Sequence, residues 1–247
     1  MPWKFDQPDV SLVVPVYRAS GNMEPLLAAF ETYIESSMLG FQLIIVDDGS
    51  VEAIAKQLLA FAADRDSVTL IRHETNQGKG KSVADGVAVA IAPMVVFTDS
   101  EMSYDMSIIE TMHRRFKEDP RTHFLVGSRR HPDSDIKNNY NIPRRIYSWA
   151  YNLLASAVVS IPFTDVQCGI KAFRRDAARL LFSDLLISRF AFDAEIFLRS
   201  KKYNLTFTEL PVTYRRMRLS PHPTIPTSIS MLSDLRRLYG AYRKHRS

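Results

Sequence analysis

The sequence has few of the features that mark secreted or membrane-spanning proteins. Cys168 is the one cysteine among 247 residues, so an intramolecular disulfide framework is excluded and a reducing compartment is favoured. No apolar run approaches the ~20 residues that a membrane-spanning helix needs. The longest, residues 153–163, is interrupted by two serines and a proline. The first nine residues are polar and contain proline, so we expect no signal peptide and a cytoplasmic protein.

An excess of charge of one sign is also missing. The formal net charge of +5 suits an anionic ligand or an anionic membrane surface. Before the C-terminus there is no dense basic stripe with interleaved aromatic residues, so we expect no nucleic-acid partner. The chain has no internal repeat, low-complexity tract or linker, and 46% of its residues are hydrophobic. We therefore predict a single domain over residues 1–247 with a substantial core.

The first half of the chain alternates between apolar strand-like runs and helical periodicity. The predicted strands are residues 10–17, 41–46, 68–72 and 94–98, and helical spacing of apolar residues follows each of them. Pro15 is expected to end the pairing of the first strand, and Ser50 to cap the second helix. This alternation predicts an α/β fold with a mostly parallel central sheet and helices on both faces.

The second half is less regular. Residues 124–129 predict a strand that delivers Arg129, whereas residues 131–141 are polar without periodicity and predict a loop. A long helix is predicted over residues 144–160, and residues 228–247 predict a C-terminal amphipathic helix. Each helix has two interpretations, which are core packing and a surface that meets an anionic membrane. The basic residues that would face lipid headgroups are Arg144, Arg145, Arg236, Arg237, Arg243, Lys244 and Arg246.

Asp99 and Glu101 follow the strand at residues 94–98 and are the first candidates for chemistry. In an open α/β sheet, ligands bind beyond the carboxyl ends of the strands. Two carboxylates there can hold Mg²⁺ or Mn²⁺, which complete their coordination shells with phosphate oxygens and water. The alternative is a solvated strand end with two surface acids.

A short segment rich in glycine and lysine, residues 78–81, precedes the third helix. Its backbone N–H groups, beginning at Gly78, and the ammonium groups of Lys79 and Lys81 can approach phosphate oxygens at a helix start. The segment lacks the full pattern of a phosphate-binding P-loop. A basic turn without a ligand is the alternative interpretation.

Taken together, the segments resemble the family 2, GT-A-type glycosyltransferases, and most of all the polyprenyl-phosphate sugar transferases, the dolichyl-phosphate glucosyl- and mannosyltransferase group. Residues 165–175 are the most specific for this lipid-phosphate branch. Two departures are Arg18-Ala19, where the family usually has Asn-Glu, and Glu101, where it usually has aspartate. The motifs that carry the resemblance are Val14-Pro15-Val16-Tyr17, Val46-Asp47-Asp48-Gly49-Ser50, Asn76-Gln77-Gly78-Lys79-Gly80, Asp99-Ser100-Glu101, Gly127-Ser128-Arg129, residues 165–175 and residues 189–195.

The resemblance implies a GT-A fold and a nucleotide-sugar donor, a UDP- or GDP-hexose. Departure of its diphosphate would be assisted by Mg²⁺ or Mn²⁺ at Asp99 and Glu101. Glutamate is still an oxygen ligand, so the metal interpretation survives the second departure. The residues implied to contact the base or wall its pocket are Pro15, Tyr17, Asp47 and Asp48.

The acceptor decides which further groups are needed. A lipid phosphate is already anionic and needs cations rather than a general base, and Arg129, Arg174 and Arg175 are the candidates. Asp165 would then hold Arg174 or Arg175. A hydroxyl acceptor needs a general base, which Asp165 or Asp193 would supply. Cys168 is interpreted as a packed side chain and not as a nucleophile, since no histidine stands near it in sequence.

The leading hypothesis is an inverting glycosyltransferase that moves a hexose from a nucleoside diphosphate to a polyprenyl (dolichyl or undecaprenyl) phosphate. It would act as a peripheral protein on the cytoplasmic membrane face. Two alternatives stay open. One is a soluble family 2 glycosyltransferase that uses a saccharide hydroxyl, and the other is a non-catalytic nucleotide-sugar-binding module.

Overall fold

A seven-stranded sheet forms the centre of the computed structural model, which describes residues 7–17, 23–137, 155, 164–215 and 225–243. The strands in chain order are β1 Val10–Val16, β2 Phe41–Asp48, β3 Val68–His73, β4 Met94–Thr98, β5 Phe124–Ser128, β6 Asp135–Lys137, β7 Ile170–Arg174, β8 Phe207–Pro211 and β9 Thr213–Arg215. The central sheet has the order β3-β2-β1-β4-β7-β5-β8, and β6 pairs with β9. Only β7 runs antiparallel to its neighbours in the central sheet.

Helices cover both faces of this sheet, which confirms the predicted α/β architecture. The described helices are α1 Glu24–Ser36, α2 Glu52–Ala63, α3 Lys79–Ala88, α4 Ile108–Glu118, α5 Arg175–Phe182, α6 Phe192–Lys202 and α7 Ile225–Arg243. The first, second and fourth pack on one face, and the other four on the opposite face. None of the described helices is long and apolar enough to cross a bilayer. A single domain over residues 1–247 stays a prediction.

The two cores follow from the alternation of side chains along each strand. Leu12 and Val14 of β1 lie in one core, whereas Val13 lies in the other. The same alternation separates Ile44 from Ile45 in β2. Strands that are buried on both faces read as continuous apolar runs, which is why the sequence located them.

Two strand ends differ from the prediction. β2 continues through Asp47 and Asp48, and both carboxylates are buried. Pro15 lies inside β1 and pairs with Val46, so it does not end the strand. Pairing with β4 stops at Val13, so Pro15 needs partners on only one side of the strand.

Two segments of the second half also need comment. The predicted loop over residues 131–141 is wrong in part, because β6 lies within it and pairs with β9. The predicted helix over residues 144–160 lies outside the described residues except for residue 155, which is helical. The predicted basic residues Arg144 and Arg145 lie outside them as well.

The C-terminal helix α7 packs on the core. Met231, Leu235 and Leu238 recur at helical spacing and are buried with the residues of α6 and the sheet. Arg236 and Arg237 lie on the exposed side. One face of this helix therefore stabilises the fold, and the other is open to solvent.

The topology brings the predicted site residues to one edge of the sheet. The parallel strands β1, β2, β4 and β5 all end there, and the antiparallel β7 begins there, since Thr98 pairs with Ile170. We call this the carboxyl edge. Its opposite edge carries Arg174, which pairs with Met94.

Candidate active site

Asp99 stands at the carboxyl edge, one residue beyond β4, and its side chain is 38% exposed. Its Oδ1 accepts a hydrogen bond of 2.6 Å from Lys79 Nζ. Burial by itself would lower the pKa of Lys79, yet Asp99 and Asp193 outweigh burial and raise it. Lys79 is therefore a fixed positive charge at the start of α3, and it faces the predicted metal ligand.

The carboxylate of Asp99 lies against the backbone of Gly169. A Cβ atom at Gly169 would come within 2.0 Å of Asp99 Oδ2, so only glycine fits there. Gly169 N donates a hydrogen bond of 2.8 Å to the buried hydroxyl of Tyr104. The turn before β7 thus forms the floor under Asp99.

The donor set suits a divalent metal that shares its shell with a ligand. Asp99 and Glu101 supply carboxylates from the same loop, and Ser103 Oγ lies 3.5 Å from Glu101 Oε2. No group of three or more histidine, cysteine, aspartate or glutamate side chains that could hold a metal occurs among the described residues. A closed structural metal site is therefore not built there, whereas Mg²⁺ and Mn²⁺ commonly bind through one or two carboxylates plus phosphate oxygens.

Asp48 organises the loop that leads into α3. Its two carboxylate oxygens accept hydrogen bonds from Asn76 Nδ2 (2.5 Å), Gln77 N (2.7 Å) and Gly78 N (2.9 Å). His73 Nδ1 lies 2.8 Å from Oδ1 as well. These four contacts use the acceptor capacity of a carboxylate, so Asp48 holds the loop rather than a base.

Asp47 is the carboxylate with acceptor capacity to spare. Its Oδ1 accepts a hydrogen bond of 2.9 Å from Ser50 N, whereas its buried Oδ2 has no hydrogen-bond donor among the described residues. Arg72 Nε approaches Oδ2 to 3.5 Å, which is an ion-pair contact and not a hydrogen bond. A buried carboxylate oxygen with an open acceptor position fits an N–H donor of a ligand. This geometry favours Asp47 over Asp48 for the base.

Ser50 does not cap α2, contrary to the prediction. The residue at the cap position is Val51, without a side-chain cap, and the buried Ser50 Oγ has no partner among the described residues. Asp47 instead fixes the turn by its bond to Ser50 N. The cap prediction failed because β2 runs two residues further than the apolar pattern indicates.

The glycine- and lysine-rich segment divides its two lysines. Gly78 has φ +100°, and a Cβ there would lie 2.5 Å from Ser188 O, so the loop passes too close to its neighbour for any other residue. Lys79 faces Asp99, but Lys81 forms an ion pair with Asp85 on α3 and is half exposed. Residues two apart on a helix point to different sides. The prediction of a phosphate contact is therefore kept for Lys79 and corrected for Lys81.

Arg129 and Asp165 form a buried bidentate pair beyond β5. Arg129 Nε and Nη2 donate hydrogen bonds of 2.7 and 2.8 Å to the Asp165 carboxylate, and the Arg129 backbone N adds a third of 3.1 Å. Burial by itself would raise the pKa of Asp165, yet the Arg129 guanidinium lowers it. Asp165 therefore holds Arg129, and not Arg174 or Arg175 as predicted.

Arg174 and Arg175 do not belong to the site. Arg174 donates to the carbonyl oxygens of Thr122 (2.9 Å) and Phe116 (2.7 Å), at the end of α4. Arg175 Nη1 donates to the carbonyl oxygen of Ile91. Both therefore stabilise the edge opposite to Asp99. The prediction of acceptor-phosphate contacts is wrong for them, because β7 runs antiparallel and carries them away from the carboxyl edge.

Asp193 lies at the start of α6 and pairs with Lys171, which the sequence reasoning missed. Lys171 is completely buried, and its Nζ donates hydrogen bonds of 2.6 Å to Asp193 Oδ1 and 2.8 Å to the carbonyl oxygen of Cys168. A lysine inside the apolar run Ile170-Lys171-Ala172-Phe173 was the available signal, since a buried lysine requires a partner. Burial raises the pKa of the Cys168 thiol to about 11, which agrees with a packed residue and not a nucleophile.

Pro15 and Tyr17 stand at the end of β1, beside the end of β2, since Val16 pairs with Asp47. Tyr17 is 40% exposed and Pro15 is partly buried. They are near the free oxygen of Asp47 by topology, and their contact with a base stays a prediction. The departure at residues 18–19 lies outside the described residues.

Comparison with known proteins finds a family model and many relatives. The model described as glycosyl transferase family 2 matches residues 11–182. The dolichyl-phosphate beta-glucosyltransferase of Dictyostelium discoideum is 27% identical, over 94% of this chain and 74% of that protein. The human protein of the same name is 23% identical, over 98% of this chain and 79% of that protein.

Solved structures agree with the fold. Glucosyl-3-phosphoglycerate synthase of Mycobacterium tuberculosis, in complex with Mn²⁺, UDP and glucosyl-3-phosphoglycerate, matches with a TM-score of 0.67 and 16% identity. The match covers 94% of this chain and 80% of that chain. A complex of the same enzyme with Mg²⁺ and UDP also matches with a TM-score of 0.67. The predicted GT-A fold is confirmed.

Proposed function

Because the chain belongs to glycosyl transferase family 2, we propose that it transfers glucose from UDP-glucose to a polyprenyl phosphate. The names of its relatives support glucose and a dolichyl-type phosphate. The UDP complexes of proteins with the same fold support UDP over GDP.

One observation carries the choice of acceptor. The two carboxylates that could act as a general base, Asp165 and Asp193, are both buried in ion pairs, with Arg129 and Lys171 respectively. The pKa of Asp165 is lowered as well, and a base that weak is poorly matched to a hydroxyl proton. An anionic phosphate requires no base. The arrangement therefore supports a phosphate acceptor.

On the donor side, the chain supplies charge for the leaving diphosphate. Asp99 and Glu101 would hold a divalent metal, which neutralises the developing charge on the diphosphate when bound. Lys79 adds a fixed ammonium group at the start of α3. Asp47 would accept a hydrogen bond from the uracil, with Pro15 and Tyr17 beside it.

On the acceptor side, Arg129 supplies the positive charge. Its guanidinium is 22% exposed and is held in place by Asp165, so it can attract a phosphate without being free to move. A phosphate oxygen forms a bond to C1 of glucose as the bond from C1 to the diphosphate oxygen breaks, with inversion at C1. UDP leaves, and no proton is transferred to a side chain.

The membrane location forms part of the same proposal. A polyprenyl phosphate is held in a bilayer, and the exposed Arg236 and Arg237 of α7 suit an anionic headgroup surface. We propose that the protein binds the cytoplasmic face of the membrane as a peripheral protein.

The experiment is a transfer assay with radiolabelled UDP-glucose and Mn²⁺. A short polyprenyl phosphate and a panel of simple glycosides are offered in separate reactions. Product from the polyprenyl phosphate alone is expected. Transfer to glycosides alone would favour the hydroxyl-acceptor alternative, and no turnover of any nucleotide sugar would favour the non-catalytic module.

A further inference from the structure

Lys171 is a lysine in an unusual place. It lies in β7, in the middle of the central sheet, opposite Phe97 of β4 and Val126 of β5, and no part of it is exposed. Taking an ammonium group out of water is costly, and a buried ion pair rarely adds net stability over apolar side chains of similar volume. Stability of the fold alone therefore does not require a charge at this position.

The contacts of Lys171 point toward the site. Its Nζ binds the carbonyl oxygen of Cys168 at 2.8 Å and Asp193 Oδ1 at 2.6 Å. It also lies 5.3 Å from the centre of the Phe97 ring, one residue before the end of β4. One ammonium group thus joins the turn before β7 to the first turn of α6.

The turn that Lys171 holds is the floor under Asp99. Cys168 precedes Gly169, whose Cα leaves no room for a Cβ beside Asp99 Oδ2. The same turn begins at Asp165, which binds Arg129 through both carboxylate oxygens. A shift of this turn would therefore move Asp99 and Arg129 together.

The helix end that Lys171 holds is also close to the donor residues. Asp193 is one of the charges that raise the pKa of Lys79. A Cβ at Gly80 would lie 2.7 Å from the Cβ of Phe192, so the start of α3 lies directly against the start of α6. The pair of Lys171 and Asp193 is thus in contact with elements that carry donor and acceptor groups.

We propose that Lys171 is a positioning residue for the transfer reaction. Its two hydrogen bonds fix the turn at residues 165–169 against α6, and this sets where Asp99 and Arg129 stand relative to each other. The inference deepens the proposed function and rests on it for the turnover measurement. Residues that orient metal ligands from behind typically change metal affinity or activity by ~10–100-fold.

The test compares two paired variants. K171M/D193L removes both charges and both hydrogen bonds but keeps an apolar core, whereas K171Q/D193N is neutral and keeps an amide donor and an amide oxygen acceptor. The measurements are melting temperature, affinity for UDP with and without Mn²⁺, and kcat with polyprenyl phosphate.

For K171M/D193L we expect a melting temperature near that of the wild type. Its Mn²⁺-dependent UDP affinity should fall about tenfold and its kcat about a hundredfold, since small misplacements of reacting groups have effects of that size. K171Q/D193N should recover UDP affinity to within about threefold of the wild type, because it retains the hydrogen bonds.

R174M serves as the matched control. It removes a cation from the same strand, but at the opposite edge of the sheet, so it should lower the melting temperature and leave UDP affinity unchanged. UDP affinity is measured without acceptor, so a wrong acceptor would not affect that result.

Wild-type UDP affinity and kcat in K171M/D193L would overturn the proposal. So would a K171Q/D193N variant that loses tenfold or more in Mn²⁺-dependent UDP affinity, and this second outcome decides the matter if the apolar pair does not fold.

Discussion

Lys79 Nζ lies 2.6 Å from Asp99 Oδ1, so an ammonium group occupies one oxygen of the carboxylate that we expect to bind a divalent metal. The metal and the lysine compete for that oxygen until a diphosphate gives the lysine another anionic partner. Lys79 therefore opposes the metal when it binds alone and assists it when UDP is present.

This competition predicts opposite effects of K79M on two affinities. Without nucleotide, Mn²⁺ should bind K79M about tenfold more tightly, since a hydrogen bond to a charged group is worth about 1.5–3 kcal/mol. UDP should bind more weakly in the presence of Mn²⁺, because one cation at the diphosphate is lost. Mn²⁺ binding can be followed by electron paramagnetic resonance. K81M, which removes the outward-facing lysine, is the control and should change neither affinity.

D99N should abolish transfer and sharply weaken Mn²⁺-dependent binding of UDP, while the fold remains intact. Loss of one charged ligand removes on the order of several kcal/mol of stabilisation from the leaving diphosphate. E101Q should act in the same way. D105N, which changes an exposed carboxylate on the same loop, should resemble the wild type. Normal turnover in both D99N and E101Q would refute the metal assignment.

The pH dependence of stability should report the pair of Asp165 and Arg129. The folded pKa of Asp165 is lowered, below an unfolded value of about 3.9. Its contribution to the free energy of unfolding is therefore complete above that value and is lost as the pH falls through the folded pKa. Urea unfolding between pH 7 and pH 2 should show a smaller acid-dependent loss for D165N than for the wild type. Equal slopes would contradict the assignment.

Asp165 and Asp193 should not act as general bases. A phosphate monoester has a second pKa of about 6, so the acceptor is an anion near neutral pH. The logarithm of kcat against pH should keep the same form in D165N and D193N, even where binding is weaker. A loss of ~10²–10⁴-fold in kcat with UDP affinity preserved would instead identify a base and a hydroxyl acceptor.

The exposed face of α7 should contribute to binding of anionic membranes. Reversing two charges in R236E/R237E should weaken binding to phosphatidylserine vesicles at low salt, by about 1 kcal/mol or more per arginine. The melting temperature should not change, since both side chains are exposed. R114E/R115E, on the exposed side of α4, is the matched control. Equal sedimentation of the two variants with vesicles would count against this surface. Deleting the helix is not a suitable test, because Leu235 and Leu238 belong to the core.

The sequence by itself determined the layout of the sheet and the position of the metal candidates. Strands buried on both faces appear as apolar runs, and the interruption of such a run by Asp99 marks the strand end where ligands bind in this architecture. Gly78 and Gly169 were also marked by motifs, since close backbone approach leaves room only for glycine.

Only the tertiary structure decided which charges face one another. Arg174 and Arg129 look alike in sequence, but the antiparallel direction of β7 places Arg174 at the far edge, while Asp165 binds Arg129. Lys79 and Lys81 are separated in the same way by the turn of α3. Ion pairs depend on the distances between atoms that are far apart in sequence, and local patterns record hydrophobic periodicity but not those distances. The partner of Lys171 in α6, 22 residues away, is the clearest example.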